Sequence, residues 1–272
     1  MENEKKGARV VAVVLTYNRL DCLKICIEKL FNQTQHISSI LIVDNCSTDN
    51  TAEYIQNLHK NSKNLNILTT QDNLGPAGGF NVGMKEAMKL TPDFLWVMDD
   101  DVYPEPDCLF KLLQRGKEGH LVYPNAINAE GQQVNYPSWC GVLINGKDIQ
   151  KYGYPITELF WWCEDTEYLQ NRFVEKNKCT FEFVADAVAH HQMFRKQKNP
   201  SWQFYYKVRN SIYIRFYLKK FNYYKIPKIL MLILFNILLK QNNKLRKLRL
   251  FTLGLYHGVF AKLGKTISTD LK

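Results

Sequence analysis

The sequence predicts an α/β fold: a doubly wound, mostly parallel sheet flanked by helices and followed by a basic helical C-terminal region. Three observations lead there. Apolar, β-branched runs of strand length recur between residues 10 and 99, stretches with helical spacing separate them, and a polar cluster follows each run.

Val10 to Thr16 (VVAVVLT) has the near-continuous apolar character of a parallel strand covered on both faces. Leu20, Leu23, Ile27 and Leu30 then form a helical stripe over Leu20 to Phe31, and Ile40 to Val43 is a second buried strand ending at Asp44, which completes a βαβ unit. Ser47 or Thr48 is placed to cap a helix reaching about His59. Leu65 to Thr69 reads as a third strand, and Asn73 to Gly79 as a loop leading into a helix from Phe80 to Leu90. Gly75, Gly78 and Gly79 do not follow the dinucleotide-binding GxGxxG spacing and by themselves describe a flexible loop. A fourth strand, Phe94 to Met98, runs into Asp99. Val102 to Asn135 is irregular, punctuated by Pro104, Pro106 and Pro124, with Pro137 just beyond. Cys140 to Ile144 and Phe181 to Ala189 read as strands, the second ending at His190 and His191, and no repeat or low-complexity linker divides residues 1–192.

A chain of 272 residues can form one large domain or a domain with an appendage. Its net charge of +10 is unevenly divided: residues 1–192 hold 18 Lys/Arg against 25 Asp/Glu, a balance of −7, whereas 193–272 hold 18 against one, +17. Such polarity suits an acidic body whose tail meets an anionic surface, lipid or nucleic acid. The seven cysteines (Cys22, Cys26, Cys46, Cys108, Cys140, Cys163, Cys179) are scattered without a CxxC pair, so neither a disulfide framework nor a zinc site is expected, and a reducing cytoplasm is the natural compartment. Met1 to Lys6 carries acids and no apolar signal core.

Parallel sheets bind ligands outside the carboxyl ends of their strands. The polar clusters stand there: Thr16-Tyr17-Asn18-Arg19, Asp44-Asn45, the Gly-rich segment, and Asp99-Asp100-Asp101. Three adjacent carboxylates are unfavourable unless a cation neutralises them, and hard oxygen ligands suit Mg²⁺ or Mn²⁺ carrying substrate phosphates; the plainer alternative is a solvated acidic turn. A second acidic centre, Glu164-Asp165-Thr166-Glu167, follows the adjacent Trp161 and Trp162.

The fragments VVLTYNRLDCLK, LIVDNCSTDNT, NLGPAGGFNVG, WVMDDDVYPEPD and FWWCEDTEY occur in this order over about residues 9–192. Together they resemble the inverting GT-A glycosyltransferases of family 2, in particular the galactofuranosyltransferase-like branch, whose motifs the rhamnosyltransferases largely share. The resemblance implies a GT-A, Rossmann-like sheet, a nucleotide-sugar donor, Mn²⁺ or Mg²⁺, a hydroxyl acceptor and inversion at the anomeric carbon. On the donor side it implies Thr16, Asn18 and Asp44 at the nucleobase and ribose, with Tyr17 and Arg19 beside them, and Asn73, Gly75 and Asn81 along the nucleotide. Asp99 and Asp101 match the DxD pair, Asp101 reaching the metal and Asp99 lying towards ribose and metal, with Asp100 orienting the sugar. Asp165, with Glu164 beside it, matches the catalytic base, which the chemistry requires because a sugar hydroxyl is a poor nucleophile at neutral pH. Crowding by Glu164 and Glu167 is expected to raise its pKa. Trp161, Trp162 and Glu167 are implied at the acceptor, the Trp residues either stacking on a sugar face or anchoring the loop as core aromatics. A metal-binding His is implied after the base; the preceding Asp186-Ala187-Val188 favours His191, with His190 the alternative.

Beyond residue 198 aromatics and cations mix: Tyr205, Tyr206, Arg209, Asn210, Tyr213, Phe216 and Tyr217. Ile229 to Phe235 is wholly apolar but shorter than the roughly 20 residues a bilayer span needs, and Lys228, Lys240, Lys244, Arg246, Lys247 and Arg249 flank it. This pattern suits helices lying among anionic headgroups, or a tail packing on the domain or on a second subunit of a homo-oligomer. No nucleic-acid module is present, so nucleic acid is not expected as a partner. The expected division is a catalytic domain over 1–198 and a tail over 199–272 for membrane or subunit association. The expected protein is cytoplasmic, peripheral on the inner face of the cell membrane, and moves galactofuranose from UDP-galactofuranose to a hydroxyl of a lipid-linked saccharide in surface-polysaccharide synthesis. The alternatives are a dTDP-rhamnose donor, a non-catalytic nucleotide-sugar-binding protein and a basic nucleic-acid-binding protein.

Overall fold

The computed structural model describes residues 7–134, 138–192, 201–219, 226–240 and 243–268; Met1 to Lys6, Asn135, Pro137, Pro200 and the 198/199 boundary lie outside them, as do the side chains of Ile229 and Lys240. Strands β1 (Val10–Thr16), β2 (Ser39–Asp44), β3 (Leu65–Thr69) and β4 (Phe94–Asp99) alternate with helices α1 (Leu20–Phe31), α2 (Thr51–Asn61) and α3 (Gly75–Met88). Then come β5 (Val102–Pro104), α4 (Cys108–Arg115), β6 (His120–Asn128), β7 (Cys140–Asn145), α5 (Gly146–Tyr152), a π-helix (Thr166–Lys176) and β8 (Thr180–His191). The tail comprises α6 (Ser201–Tyr213), a π-helical turn (Ile214–Leu218), α7 (Ile226–Lys240) and α8 (Lys244–Val259).

One eight-stranded sheet runs in the order β3-β2-β1-β4-β7-β6-β8-β5. The first four positions are mutually parallel, β8 is parallel to β6, and β7 and β5 run antiparallel to their neighbours. The near-continuous apolar runs have the cause expected of them. Val10, Ala12 and Val14 of β1 face a core with Leu23, Ile27 and Leu30 of α1 and Leu109 and Leu112 of α4; Val11, Val13 and Leu15 face another with Phe80 and Met84 of α3 and Tyr168 and Phe173 of the π-helix.

Three local expectations are corrected. α2 starts at Thr51, and neither Ser47 nor Thr48 caps it, because both are engaged by the preceding Asn18. The Gly-rich segment is not a loop but the first turns of α3, which lies so close to the sheet that a Cβ on Gly79 would stand 2.4 Å from Leu15. The described part of the stretch expected to be irregular, Val102 to Val134, holds β5, α4 and the whole of β6: Pro104 sits in a short edge pairing and Pro124 at a register shift, places where the missing N–H is tolerated.

Register gathers the polar strand ends. Thr16 pairs with Asp44 and Leu15 with Asp99, so three strand termini lie side by side, roughly 4.8 Å per strand. Because β7 runs antiparallel to β4, with Cys140 opposite Met98, it delivers Trp139 to the same edge, and β5 brings His191 in by pairing with Val102.

Candidate active site

At this edge the aspartates differ in environment. Asp100 and Asp101 are buried and share Arg19, which bonds Asp100 closely and reaches Asp101 Oδ2 at 2.9 Å. Burial opposes the charge on Arg19, but Asp100 and then Asp101 more than restore it, and its pKa rises. Asp99 has no such partner: burial first, and Asp101 second, push it up to about 8, and Asp100 is pushed by burial up to about 6. Asp101 goes the other way, since its contacts with His191 and Arg19 outweigh its burial. A carboxylate cluster in which one member resists ionisation is short of positive charge, and a cation supplies it.

The donor set fits a divalent cation. Asp101 Oδ1 and His191 Nε2 stand 3.3 Å apart, close to the roughly 3 Å between adjacent ligands of an octahedral ion with bonds of about 2.0–2.1 Å. They offer one hard oxygen and one imidazole nitrogen. Among the described residues no group of three or more His, Cys, Asp or Glu side chains forms a complete cage, so the remaining ligands would be substrate phosphate and water. His190 is corrected as a metal ligand: alternation along β8 turns it outward, where Nε2 meets Glu105 Oε1 at 2.8 Å on the surface.

At the ends of β1 and β2, Thr16 and Asp44 are buried, and Asp44 Oδ1 accepts from the Ser47 N–H at 3.0 Å. Asn18 has φ +52° and is locked to the Ser47–Thr48 turn through its backbone N–H and both side-chain atoms; Tyr17 lies exposed at the rim. Asn73 and Asn81, expected along the nucleotide, each have one side-chain atom engaged within the fold. Asn73 Oδ1 accepts from the N–H of Gly75 and from Asn45, while Asn81 Nδ2 donates to the Pro155 carbonyl at 2.7 Å. Asn45, not singled out as a site residue, is the hub of this turn, bonding Asn73, Leu74, Gly75 and Thr70. Its position directly after Asp44 at a strand end was the available signal. Gly75, φ +67°, is indispensable because a Cβ there would lie 2.1 Å from the Phe160 carbonyl.

That contact joins the donor side to the second acidic centre. The Ala77 N–H donates to the Phe160 carbonyl at 3.2 Å, seating α3 on the segment that precedes Asp165. Within this segment Phe160, Trp162 and Cys163 all have φ between 60° and 72°, a left-handed conformation that costs side-chain-bearing residues about 1–3 kcal/mol each. Glu164 is buried, and its carboxyl is raised well above the usual range by burial first, then by Asp165, with Asp99 adding to it. The Cys140 thiol, at the start of β7, is raised chiefly by burial, with Asp99, Asp101 and Asp165 all contributing. Trp139 lies between the two acidic centres: its carbonyl accepts the Asp99 N–H at 2.9 Å and its side chain adjoins Glu164. Asp165 caps the π-helix, accepting from Thr166 N–H and Oγ1. Its pKa is raised, as expected, chiefly by burial; its mutual repulsion with Glu164 disfavours two charges side by side, and Glu167 is not among the causes.

Glu167 is corrected as an acceptor-binding residue. Both its oxygens are held by Arg172, at 2.6 and 3.3 Å, and it lines a separate cavity of about 810 Å³ with Tyr152, Asn171 and Lys219. The tryptophans divide: Trp161 packs edge-on to Trp202 of α6 with centroids 4.7 Å apart, whereas Trp162 is exposed beneath the Lys207 ammonium.

A model of the Glycosyl transferase family 2 matches residues 11–229. An undecaprenyl-phosphate mannosyltransferase of Micrococcus luteus is 29% identical over 143 residues, covering 50% of this chain and 58% of that protein. Galactofuranosyltransferase GlfT1 of Mycolicibacterium smegmatis is 33% identical over 138 residues, covering 49% of this chain and 45% of that one. The chain thus spans about half the length of these curated relatives. Among solved structures, the mannosyltransferase PcManGT of Pyrobaculum calidifontis, in complex with GDP-Man and Mn²⁺, shares the fold with a TM-score of 0.61 at 12% identity, over 94% of this chain and 88% of that one.

Proposed function

The chain belongs to glycosyl transferase family 2, and from that premise we propose that it transfers a sugar, with inversion, from a nucleotide donor to a hydroxyl of a lipid-linked saccharide. One observation carries the reading: the helix that follows the strand ends is seated on the segment leading into Asp165, the Ala77 N–H donating to the Phe160 carbonyl at 3.2 Å, while the Asp99 N–H bonds the Trp139 carbonyl beside Glu164 at 2.9 Å, so the two acidic centres are neighbours.

Thr16 and Asp44 at adjacent strand ends receive the nucleoside, and the exposed Tyr17 stands at the mouth. Asp101 and His191, with Asp99 beside them, would hold Mn²⁺ or Mg²⁺, which when bound neutralises the charge developing on the diphosphate. Arg19 keeps Asp100 and Asp101 ionised for this task. Asp165 takes the proton of the acceptor hydroxyl as its oxygen bonds to the anomeric carbon; the bond from that carbon to the phosphate oxygen breaks, and the nucleoside diphosphate leaves with the electron pair. A base raised by burial suits this step, since it accepts a proton more readily than a solvated aspartate. Glu164 beside it is raised well above the usual carboxylate range, by burial and then by Asp165, which disfavours a second negative charge next to the base.

UDP-galactofuranose is the favoured donor because of the galactofuranosyl-like motifs and the GlfT1 relative; dTDP-rhamnose is the alternative. The lipid-linked acceptor is supported by the undecaprenyl-phosphate enzyme among the relatives. A peripheral position on the inner face of an anionic membrane is supported by α7. There Met231, Leu232, Phe235 and Leu239 share an exposed face while Ile233 and Ile237 pack inward, with Lys228, Lys244 and Arg249 exposed nearby. Lys247 leaves that basic set, being buried over the Phe204 ring at 5.0 Å. Among the described residues no helix is long and apolar enough to cross a membrane.

The test is transfer to a polyprenyl-diphosphate-linked saccharide with Mn²⁺ and each nucleotide sugar, read by mass spectrometry. Asp165→Asn is expected to bind donor normally and to lose about 10²–10⁴-fold in rate. Near wild-type turnover by that variant overturns the base assignment. For the membrane reading, Met231→Ser/Phe235→Ser is expected to weaken sedimentation with phosphatidylglycerol vesicles, and unchanged sedimentation overturns it.

A further inference from the structure

Arg209 is fully buried, yet every acceptor it meets among the described residues is neutral. Its Nη2 donates to the Leu159 and Glu158 carbonyls at 2.8 and 3.3 Å, its Nη1 to Gly264 O and Thr266 Oγ1, and its Nε to Asn210 Oδ1 at 2.8 Å. The Tyr206 ring lies against it, 4.7 Å from centroid to guanidinium carbon. Asn210, also fully buried, directs its amide nitrogen to three carbonyls of the same segment: Leu159 at 2.9, Trp161 at 2.9 and Trp162 at 2.7 Å. Between them the two side chains bind the backbone of Glu158, Leu159, Trp161 and Trp162, the stretch whose left-handed residues lead directly into Glu164 and Asp165.

A buried cation with no counter-charge among the described residues is costly, and it persists where its hydrogen bonds are complete and the geometry they impose is needed. The packing around α6 is arranged to keep these two residues in place. Gly254 and Gly258 of α8 let α6 approach so closely that a Cβ on either would stand 2.7 Å from the Tyr205 or the Arg209 carbonyl. The chain beyond α8 returns to cover Arg209, with Tyr206 donating to the Ile267 carbonyl.

We infer that Arg209 and Asn210 are positioning residues for the sugar transfer, through which the tail holds the 158–163 segment in its strained form and so sets where Asp165 stands. The inference rests on the assignment of Asp165 as base. It makes the tail part of the catalytic apparatus, beyond any role in membrane association.

The experiment compares three variants of the full chain by transfer kinetics with Mn²⁺ and nucleotide sugar, by donor binding and by melting temperature. Asn210→Asp keeps the shape but replaces the donating amide with a second acceptor. It is expected to lower kcat about 100-fold, the effect of a displacement near 1 Å, with donor KM and donor Kd within twofold of wild type. Arg209→Lys keeps the buried charge but loses the fork, and is expected to lower kcat about 10-fold with the same split. Tyr217→Phe removes a bond within the tail, to the Val259 carbonyl, that involves no residue of 158–163, and is expected to leave kcat unchanged whatever its melting temperature. Wild-type kcat in a folded Asn210→Asp, or a kcat that follows melting temperature equally across the three, overturns the inference; should Asn210→Asp not fold, Arg209→Lys decides by the same criterion. A wild-type chain that transfers no sugar refutes the transferase reading instead, so the two failures are distinct.

Discussion

The two halves of the cleft are built by different means. On the donor side, Thr16, Asp44 and Asp99 terminate hydrogen-bonded parallel strands, and the sheet register alone sets them side by side. On the base side, Asp165 follows a segment with three left-handed non-glycine residues, fixed not by a ladder but by side chains of α6 bonded to its carbonyls. The first half is made by backbone pairing between strands that each announce themselves in the local sequence; the second is made by side-chain contacts some 50 residues apart that nothing local announces. The donor site is therefore expected to be robust to damage in the tail, and the base to be sensitive to it.

The largest effects should separate the halves. Asp101→Asn removes a charge that Arg19 and His191 both face, and is expected to abolish Mn²⁺-dependent donor binding in calorimetry and to reduce kcat/KM about 10²–10³-fold or more. Asp165→Asn is expected to leave that binding intact. Equal loss of donor affinity in both would dissolve the distinction. The pH profile sharpens it further. Burial raises the Asp165 pKa, so its deprotonated, proton-accepting form is lost at a higher pH than for a solvated aspartate. The rate constant kcat should fall on the acid side with a midpoint above the ordinary value of about 3.9, and should be level above it. A midpoint at or below 3.9 would mean that the base is solvated during turnover.

What was legible in the sequence follows the same line. The strands ending at Thr16, Asp44 and Asp99 were readable because a parallel strand covered on both faces must be apolar throughout and its polar continuation stands out. Asn73 and Asn81 were read as ligand-binding because residue type shows that an amide is present, not that a backbone carbonyl or N–H already engages it. The order between Val102 and Val134 was hidden by prolines, which mark a break unless a sheet edge or a bulge accommodates them. Arg209 and Asn210 stand among the mixed aromatics and cations of the tail, a pattern that suits headgroup contact as well as packing on the domain or on a second subunit. The signal for burial was there: Tyr205, Arg209 and Ile212 fall on one helical face, an apolar stripe with a guanidinium inside it. Nothing in the spacing tells that this stripe meets residues 158–162, because that pairing is made only in three dimensions.

A smaller, purely structural effect is expected at Glu167. With its bidentate hold on Arg172 removed, Glu167→Ala leaves a nearly buried guanidinium bonded only to the Tyr152 and Tyr154 carbonyls, and about 3 kcal/mol of stability should be lost in denaturant titrations. Acceptor KM should stay within about twofold of wild type, because the carboxylate faces a cavity apart from the cleft. A large rise in acceptor KM at unchanged stability would return Glu167 to the acceptor site and extend the base side of the cleft into that cavity.

The smallest effect falls on His190, and it tests the donor side at its finest grain. Two adjacent histidines end β8, and strand alternation sends them to opposite faces: His191 inward to Asp101 and His190 outward to Glu105. An exposed pair of that kind contributes about 0–1 kcal/mol, so His190→Ala should shift the unfolding free energy by less than that and leave the Mn²⁺ concentration for half-maximal transfer unchanged. His191→Ala, one residue further along the same strand, should raise that concentration at least about 10-fold, as loss of a direct ligand or its immediate support does. If the two variants respond alike to Mn²⁺, the end of β8 adopts another register in the working enzyme, and the strand-end logic that organises the donor side does not extend to its last ligand.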